Sequence, residues 1–214
     1  MKKNLRIAAF LFLFAAFMPT VQAQEWDSGL DIYSSYVWRG TKFGSGPAFQ
    51  PYLEFSAGGF AIGAWGSYNA STNEAAEADL YASYSFDLGG NASLGITLTD
   101  YYFPGSSWFE GTSHYIEPML SLGVGSFSLT GAYMMNDGAG DIYLEAGVSA
   151  GPVDLTLGGG DGAYTVDGEF NVCNIGIGTS KAIKITDSFS LPVSGAAILN
   201  PSSEQFHIVV GVSL

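Results

Sequence analysis

Apolar and polar residues alternate along most of this chain. In LDIYSSYVW, Leu30, Ile32, Tyr36 and Trp38 share one face, while Asp31, Tyr33, Ser35, Val37 and Arg39 share the other. In residues 78–88, Leu80, Ala82, Tyr84, Phe86 and Leu88 oppose Asp79, Tyr81, Ser83, Ser85 and Asp87. A period of two is the signature of a strand, because successive side chains leave opposite faces. Twelve such segments are predicted, near 28–40, 48–57, 59–69, 77–88, 91–103, 113–124, 126–136, 141–150, 152–160, 170–185, 188–199 and 204–214. No amphipathic helical period separates them. In the tenth, polar Lys181 falls on the apolar register, so a bulge is expected there.

The connections alternate in length. Tight ones lie around Gly58-Gly59, Gly89-Gly90, Gly125, Gly151-Pro152 and Thr186-Asp187; longer ones are TKFGSGP, ASTNEAA, PGSSWFEGT, DGAG, DGAYTVDGE and NPSS. Short turns at one end and longer loops at the other mark an up-and-down antiparallel transmembrane β-barrel. Greek-key crossings in a soluble sandwich give no reason for this alternation. The polar face carries Ser, Thr, Gly, Asn and Tyr with scattered acids, rather than the Lys and Glu of a solvated sheet. That fits lipid outside and a polar lumen within. Tyr36, Trp38, Tyr68, Tyr102 and Tyr133, near the outer strand ends, are expected to form an aromatic girdle at headgroup level. The last strand alternates Phe206, Ile208, Val210, Val212 and Leu214 to the C-terminus. It resembles the C-terminal signal read by the barrel-assembly machinery, although such signals usually end in Phe or Trp.

The N-terminus changes the compartment. MKKNLR is basic, IAAFLFLFAAFM is apolar, and Val21-Gln22-Ala23 is a small-x-small cleavage pattern. Residues 1–23 read as a cleaved signal peptide and 24–214 as one barrel domain, which directs the protein to the bacterial outer membrane. No later apolar run approaches the ~20 residues of a spanning helix. All 20 acidic residues lie beyond residue 23, against Arg39, Lys42, Lys181 and Lys184, a net charge near −16. Nucleic acid is excluded as a partner. Cys173 is alone, so disulfide stapling is excluded too.

SSYVWRG, PAFQPYLEFS and GFAIGAWGSYNAS carry Tyr36, Val37, Trp38, Arg39, Gly40, Gln50, Trp65, Gly66 and Ser67. Over residues 33–70 this stretch resembles the TorF-type porin family, the Gcw_chp-like outer-membrane β-barrel proteins of unknown function. SKAIKITDSFSLPVSGAAILNP extends the likeness more loosely. The resemblance implies a porin-type barrel and no tested substrate.

Strand register points Asp31, Arg39, Glu54, Asp79, Glu117, Glu145 and Asp154 into the lumen. This set of one cation and six acids should favour cations. Arg39 is expected to pair with Glu54 on the neighbouring strand, as a constriction or girth-fixing residue. Tyr33, Tyr52, Trp65, Tyr81 and Tyr143 would narrow the lumen further. Three functions follow. The first is a porin-like channel for small hydrophilic, mainly cationic solutes. The second is a non-conducting structural or adhesive barrel filled by its own aromatics and the Arg39 pair. The third is a lipid hydrolase, which has little support: His114 and His207 fall on predicted strands 6 and 12, on opposite sides of the barrel, outside any hydrolase motif. The spacing of Asp137 and Asp141, and of Asp161, Asp167 and Glu169, matches no EF-hand. No P-loop, dinucleotide, zinc or haem motif appears, so no enzyme activity, metal or cofactor is expected.

Overall fold

The computed structural model describes residues 24–72, 74–105, 107–136 and 139–214. The proposed signal peptide and Asp137 lie outside these residues. Twelve strands form the wall. They are β1 (Gln24–Tyr33), β4 (Ala48–Ala57), β5 (Phe60–Asn69), β6 (Glu74–Gly89), β7 (Ala92–Tyr102), β8 (His114–Val124), β9 (Phe127–Asn136), β10 (Ala139–Ala150), β11 (Val153–Gly160), β12 (Asn171–Lys184), β13 (Ser190–Asn200) and β14 (Gln205–Ser213). Each pairs antiparallel with its neighbours in chain order, and β1 pairs with β14 to close the barrel. The all-β, up-and-down architecture and the strand number expected from the alternation are therefore present.

Polarity sorts the residues. Leu53, Leu80, Leu98, Leu120, Leu144, Leu157 and Val210 stand about half exposed on the outside. Their sequence neighbours Glu54, Asp79, Thr99, Met119, Tyr143, Gly158 and Val209 face inward. The tight connections gather at one end, the turn end, with both described termini. At Val124–Phe127, for example, Gly125 takes φ +60°, a backbone that glycine adopts without a Cβ penalty. The longer connections gather at the opposite, loop end. The expected bulge lies not at Lys181 but between Gly158 and Gly159, opposite Cys173. Lys181 stays in register against Val193 and is exposed close to the turn end. There a long side chain can reach past an apolar band.

The first predicted strand needs correcting. The wall strand runs Gln24–Tyr33, and the chain then leaves the wall. Tyr36–Trp38 (β2) and Thr41–Phe43 (β3) form a separate two-stranded hairpin, with Tyr36 opposite Phe43 and Trp38 opposite Thr41. TKF is thus the hairpin's second strand rather than an outside loop. Because the hairpin lies inside the barrel, Tyr36 and Trp38 cannot belong to an outer girdle. Tyr36 is 8% exposed, with its ring 5.5 Å from that of Trp65. Tyr68 and Tyr133 do stand exposed on the outer face. Tyr102 shares that face and packs its ring 4.6 Å from Trp108.

The seam between β1 and β14 is short. Asp31, Ile32 and Tyr33 are in register with Ser213, Val212 and Gly211. Leu30 and Leu214 exchange two further backbone bonds, and the Ser34 N–H donates to the Val210 carbonyl at 2.8 Å. By contrast, β6 and β7 stay paired from Ala78↔Tyr102 down to Gly89↔Ala92.

Candidate functional site

The hairpin turn consists of Arg39 and Gly40, with φ +49° and +81°. Positive φ at both central residues of a two-residue loop is the type I′ pattern, whose first position favours Asn or Asp. An arginine there is held against its own backbone preference at a cost of about 1–2 kcal/mol. Gly40 sits against β12: a Cβ at this position would lie 1.9 Å from the Cys173 carbonyl oxygen. The Asn200 amide donates to the Gly40 carbonyl at 3.3 Å. The turn is therefore driven into the far wall of the barrel.

What holds the arginine there is a buried clamp. Its Nη1 donates to Glu117 Oε2 at 2.5 Å and its Nη2 to Glu117 Oε1 at 2.9 Å, a bidentate pair. Nη1 also donates to the Tyr164 hydroxyl at 2.7 Å. The guanidinium carbon lies 4.4 Å from the Trp38 ring centroid and 4.3 Å from that of Tyr143, within cation–π range. Glu117 in turn accepts from Tyr101 at 3.1 Å and from Tyr164 at 3.2 Å. The Arg39 side chain is 9% exposed and that of Glu117 is 1% exposed. Burial works against the charge on Arg39, but Glu117 more than offsets it, and the guanidinium pKa ends above its ordinary value. Burial likewise pushes the phenol of Tyr164, in the loop between β11 and β12, upward.

Sequence reasoning gave Arg39 the wrong partner. Glu54 lies directly across from Asp27, six residues down the wall from where β1 ends. That is about 20 Å at the rise of a strand. Glu54 accepts instead from the Tyr81 hydroxyl at 2.8 Å. The real partner, Glu117, comes from the opposite part of the wall. Glu145 accepts from Tyr143 at 2.6 Å and from Asn174 at 3.2 Å, which fixes the ring that stacks on Arg39. Asp79 is buried beneath the hairpin. Asp31, Glu54 and Asp154 face the lumen toward the turn end, where Asp154 is exposed and accepts from Ser149 at 2.6 Å. The lumen set is thus split: Arg39, Asp79 and Glu117 belong to a packed plug, with Glu145 bracing it. Asp31, Glu54 and Asp154 line an acidic vestibule. Tyr101, Tyr164 and Glu77, all buried here, were not singled out in the sequence.

The aromatic packing completes the plug. Trp38 lies 5.6 Å from Tyr101 and 5.8 Å from Tyr164, ring to ring. Ala132, Tyr143, Tyr164 and Cys173 form a buried cluster that Trp38 and Met119 pack against. Cys173 is 0% exposed.

The two histidines stand on separate sides of the wall. His114 lies on the outer face, with Nδ1 2.8 Å from Asp100 Oδ1 and Nε2 2.7 Å from the Trp108 carbonyl. Its second nitrogen thus meets a backbone oxygen instead of a nucleophile. His207 sits six strands away on β14, facing the lumen. The outward set Phe206, Ile208, Val210, Val212 and Leu214 keeps one face to the end of the chain, and Phe206, Ile208, Val210 and Leu214 are strongly exposed.

A closed twelve-strand barrel with a hairpin clamped inside its loop end is thus the class that fold and site define. The chain belongs to the Gcw_chp family, described as a bacterial protein of unknown function, whose family model matches residues 22–184. No curated protein matches the chain.

Proposed function

We propose that this chain is an outer-membrane barrel, delivered by a signal peptide and the barrel-assembly machinery, whose resting lumen is shut. The observation that carries this reading is the Arg39–Glu117 clamp, which packs the hairpin across the loop end. A conducting pore needs a continuous water path, and the groups at the level of Arg39 are buried: Glu117 and Tyr143 are 1% exposed and Tyr164 is 5%. The half-exposed apolar exterior supports placement in lipid. No enzymatic role is proposed.

A second reading is favoured by the vestibule. Asp27, Asp31, Glu54 and Asp154 line the lumen below the plug, and such a field would draw in small cationic solutes. In this reading the protein is a porin-like transport channel that opens when the hairpin is displaced. Planar-bilayer recordings separate the cases. The intact mature chain should give no conductance above the empty bilayer. A chain with residues 35–46 replaced by a Gly-Ser linker should give discrete, cation-selective steps if the second reading also holds. Steady conductance by the intact chain would overturn the shut-lumen reading.

A further inference from the structure

On the other flank of the hairpin lies a group that the clamp does not use. Two inward rows of side chains run across the wall there. Ser67 of β5 is opposite Glu77 of β6, and Gln50 of β4 donates to the Ser67 hydroxyl at 3.5 Å. In the next row, Trp65 is opposite Asp79, which is opposite Tyr101. Tyr36 of the hairpin packs on Trp65 and lies in electrostatic reach of both Glu77 and Asp79. Glu77 is 4% exposed, Asp79 8%, Gln50 5% and Ser67 3%. Glu77 and Asp79, two residues apart on β6, both face inward and are buried side by side.

Two neighbouring carboxylates in a dry site need either a cation or a shared proton. Among the described residues no basic side chain is placed to supply a cation; His207 lies on β14, four strands from β6. Arg39 is bound to Glu117, Lys42 and Lys181 are exposed, Lys184 reaches Asp187 at 2.7 Å, and His114 bonds Asp100 on the outer face. A second observation points to a ligand: Asp79 Oδ1 is buried with no hydrogen-bond partner, on a side chain more than nine-tenths buried. Native structures rarely leave such an atom unpaired unless an ion or water meets it.

We propose that Glu77 and Asp79 bind one hard divalent cation of the Ca²⁺ type, with Tyr36 and Gln50 beside it. The donors are all oxygen, with no histidine or thiol among them, and oxygen sets select calcium and magnesium over zinc or copper. A divalent ion matches the two negative charges, and a recess lined by irregularly placed oxygens of a wall strand and a hairpin suits the adaptable coordination of calcium better than rigid octahedral magnesium. The ion would tie β6 to Tyr36, and so fasten the hairpin on the side opposite to the Arg39 clamp. This holds whether or not the barrel ever conducts.

The test uses the folded mature chain in detergent micelles, with Tb³⁺ as a luminescent stand-in for Ca²⁺ excited through Trp65 and Tyr36. One saturable phase is expected, displaced by Ca²⁺ more readily than by Mg²⁺. Asp79→Asn and Glu77→Gln should each weaken it by at least the roughly 10–100-fold that even outer-shell partners of a metal contribute. Asp154→Asn, a vestibule control, should leave it unchanged. Ca²⁺ should raise the unfolding temperature of the wild type and not of Asp79→Asn, whose heat-modifiable gel migration verifies folding. The proposal is overturned if no saturable phase appears, if the phase survives both acid substitutions, or if Ca²⁺ leaves the wild-type unfolding temperature unchanged. In the last case the carboxyl pair shares a proton instead.

Discussion

Breaking the Arg39 clamp should release the hairpin without opening the wall, and Cys173 offers the means to see it. The thiol is 0% exposed beneath the Arg39-Gly40 turn. A polar maleimide can reach it only when the hairpin lifts. Glu117→Gln keeps the shape of the acceptor but strands the guanidinium, now buried with no charged partner at 2.5 and 2.9 Å. Removing one member of a buried pair costs about 3–5 kcal/mol. With tenfold per ~1.4 kcal/mol, the open population should rise by about 10²–10³-fold or slightly more. Labelling of folded protein follows that population when opening is fast relative to reaction. Arg39→Met should speed labelling to a similar extent, because it strands Glu117. The double variant removes both charges and should fall well short of the sum of the two effects, by a coupling of at least ~2 kcal/mol. If either single variant labels at the wild-type rate, or if the two effects simply add, the clamp does not hold the hairpin down.

Other outcomes follow from the same geometry. Arg39→Asn should suit the turn better by itself, since Asn tolerates positive φ, yet it should still speed Cys173 labelling strongly because the clamp is gone. Gly40→Ala places a Cβ 1.9 Å from the Cys173 carbonyl and should red-shift the intrinsic fluorescence of Trp38 toward that of a solvent-exposed tryptophan; an unchanged spectrum would contradict the docking. Tyr164→Phe removes one hydroxyl that bridges Arg39 and Glu117 and should cost about 1 kcal/mol, a roughly fivefold change in the same labelling assay. Leu120→Arg, at a 55% exposed outer position, should lower folding stability in lipid vesicles by about 2–4 kcal/mol if that face meets the bilayer midplane. A negligible loss would count against a membrane-embedded wall.

The wall was legible in the sequence because a barrel strand repeats a local rule, polar in and apolar out, in every pair of residues. The hairpin was not, and the reason is specific. Ile32, Tyr36 and Trp38 keep the same parity across Ser34-Ser35, so the alternation hides the point where the chain leaves the wall. The signal that could have revealed it is Arg39-Gly40 between two three-residue runs, YVW and TKF, which is the spacing of a two-residue hairpin loop. Reading the segment as one strand then placed Trp38 on the lipid face and made Glu54 the nearest acid. Glu117 lies 78 residues from Arg39 on a strand that is not its neighbour, and no local pattern encodes such a meeting. Tyr164 was hidden for another reason: it sits in a loop, where period carries no information. Lumen-facing register did identify Asp79 and Glu117 as inward acids, but not that the plug buries them.

The short β1–β14 seam bears on how this molecule comes apart. A closed sheet has no edge, so its resistance to fraying is set by the one line where the fewest ladder bonds must break. Here that line is where the chain turns inward at Ser34, beside the upper part of β14. The root of the plug and the weakest join of the wall are therefore the same few residues. Unzipping should start there, with the amides of Ile32 and Val212 exchanging with solvent before those of the long β6–β7 pair. Because the hairpin is tethered at that join, loosening the wall also loosens the stopper, and a docked stopper splints the wall.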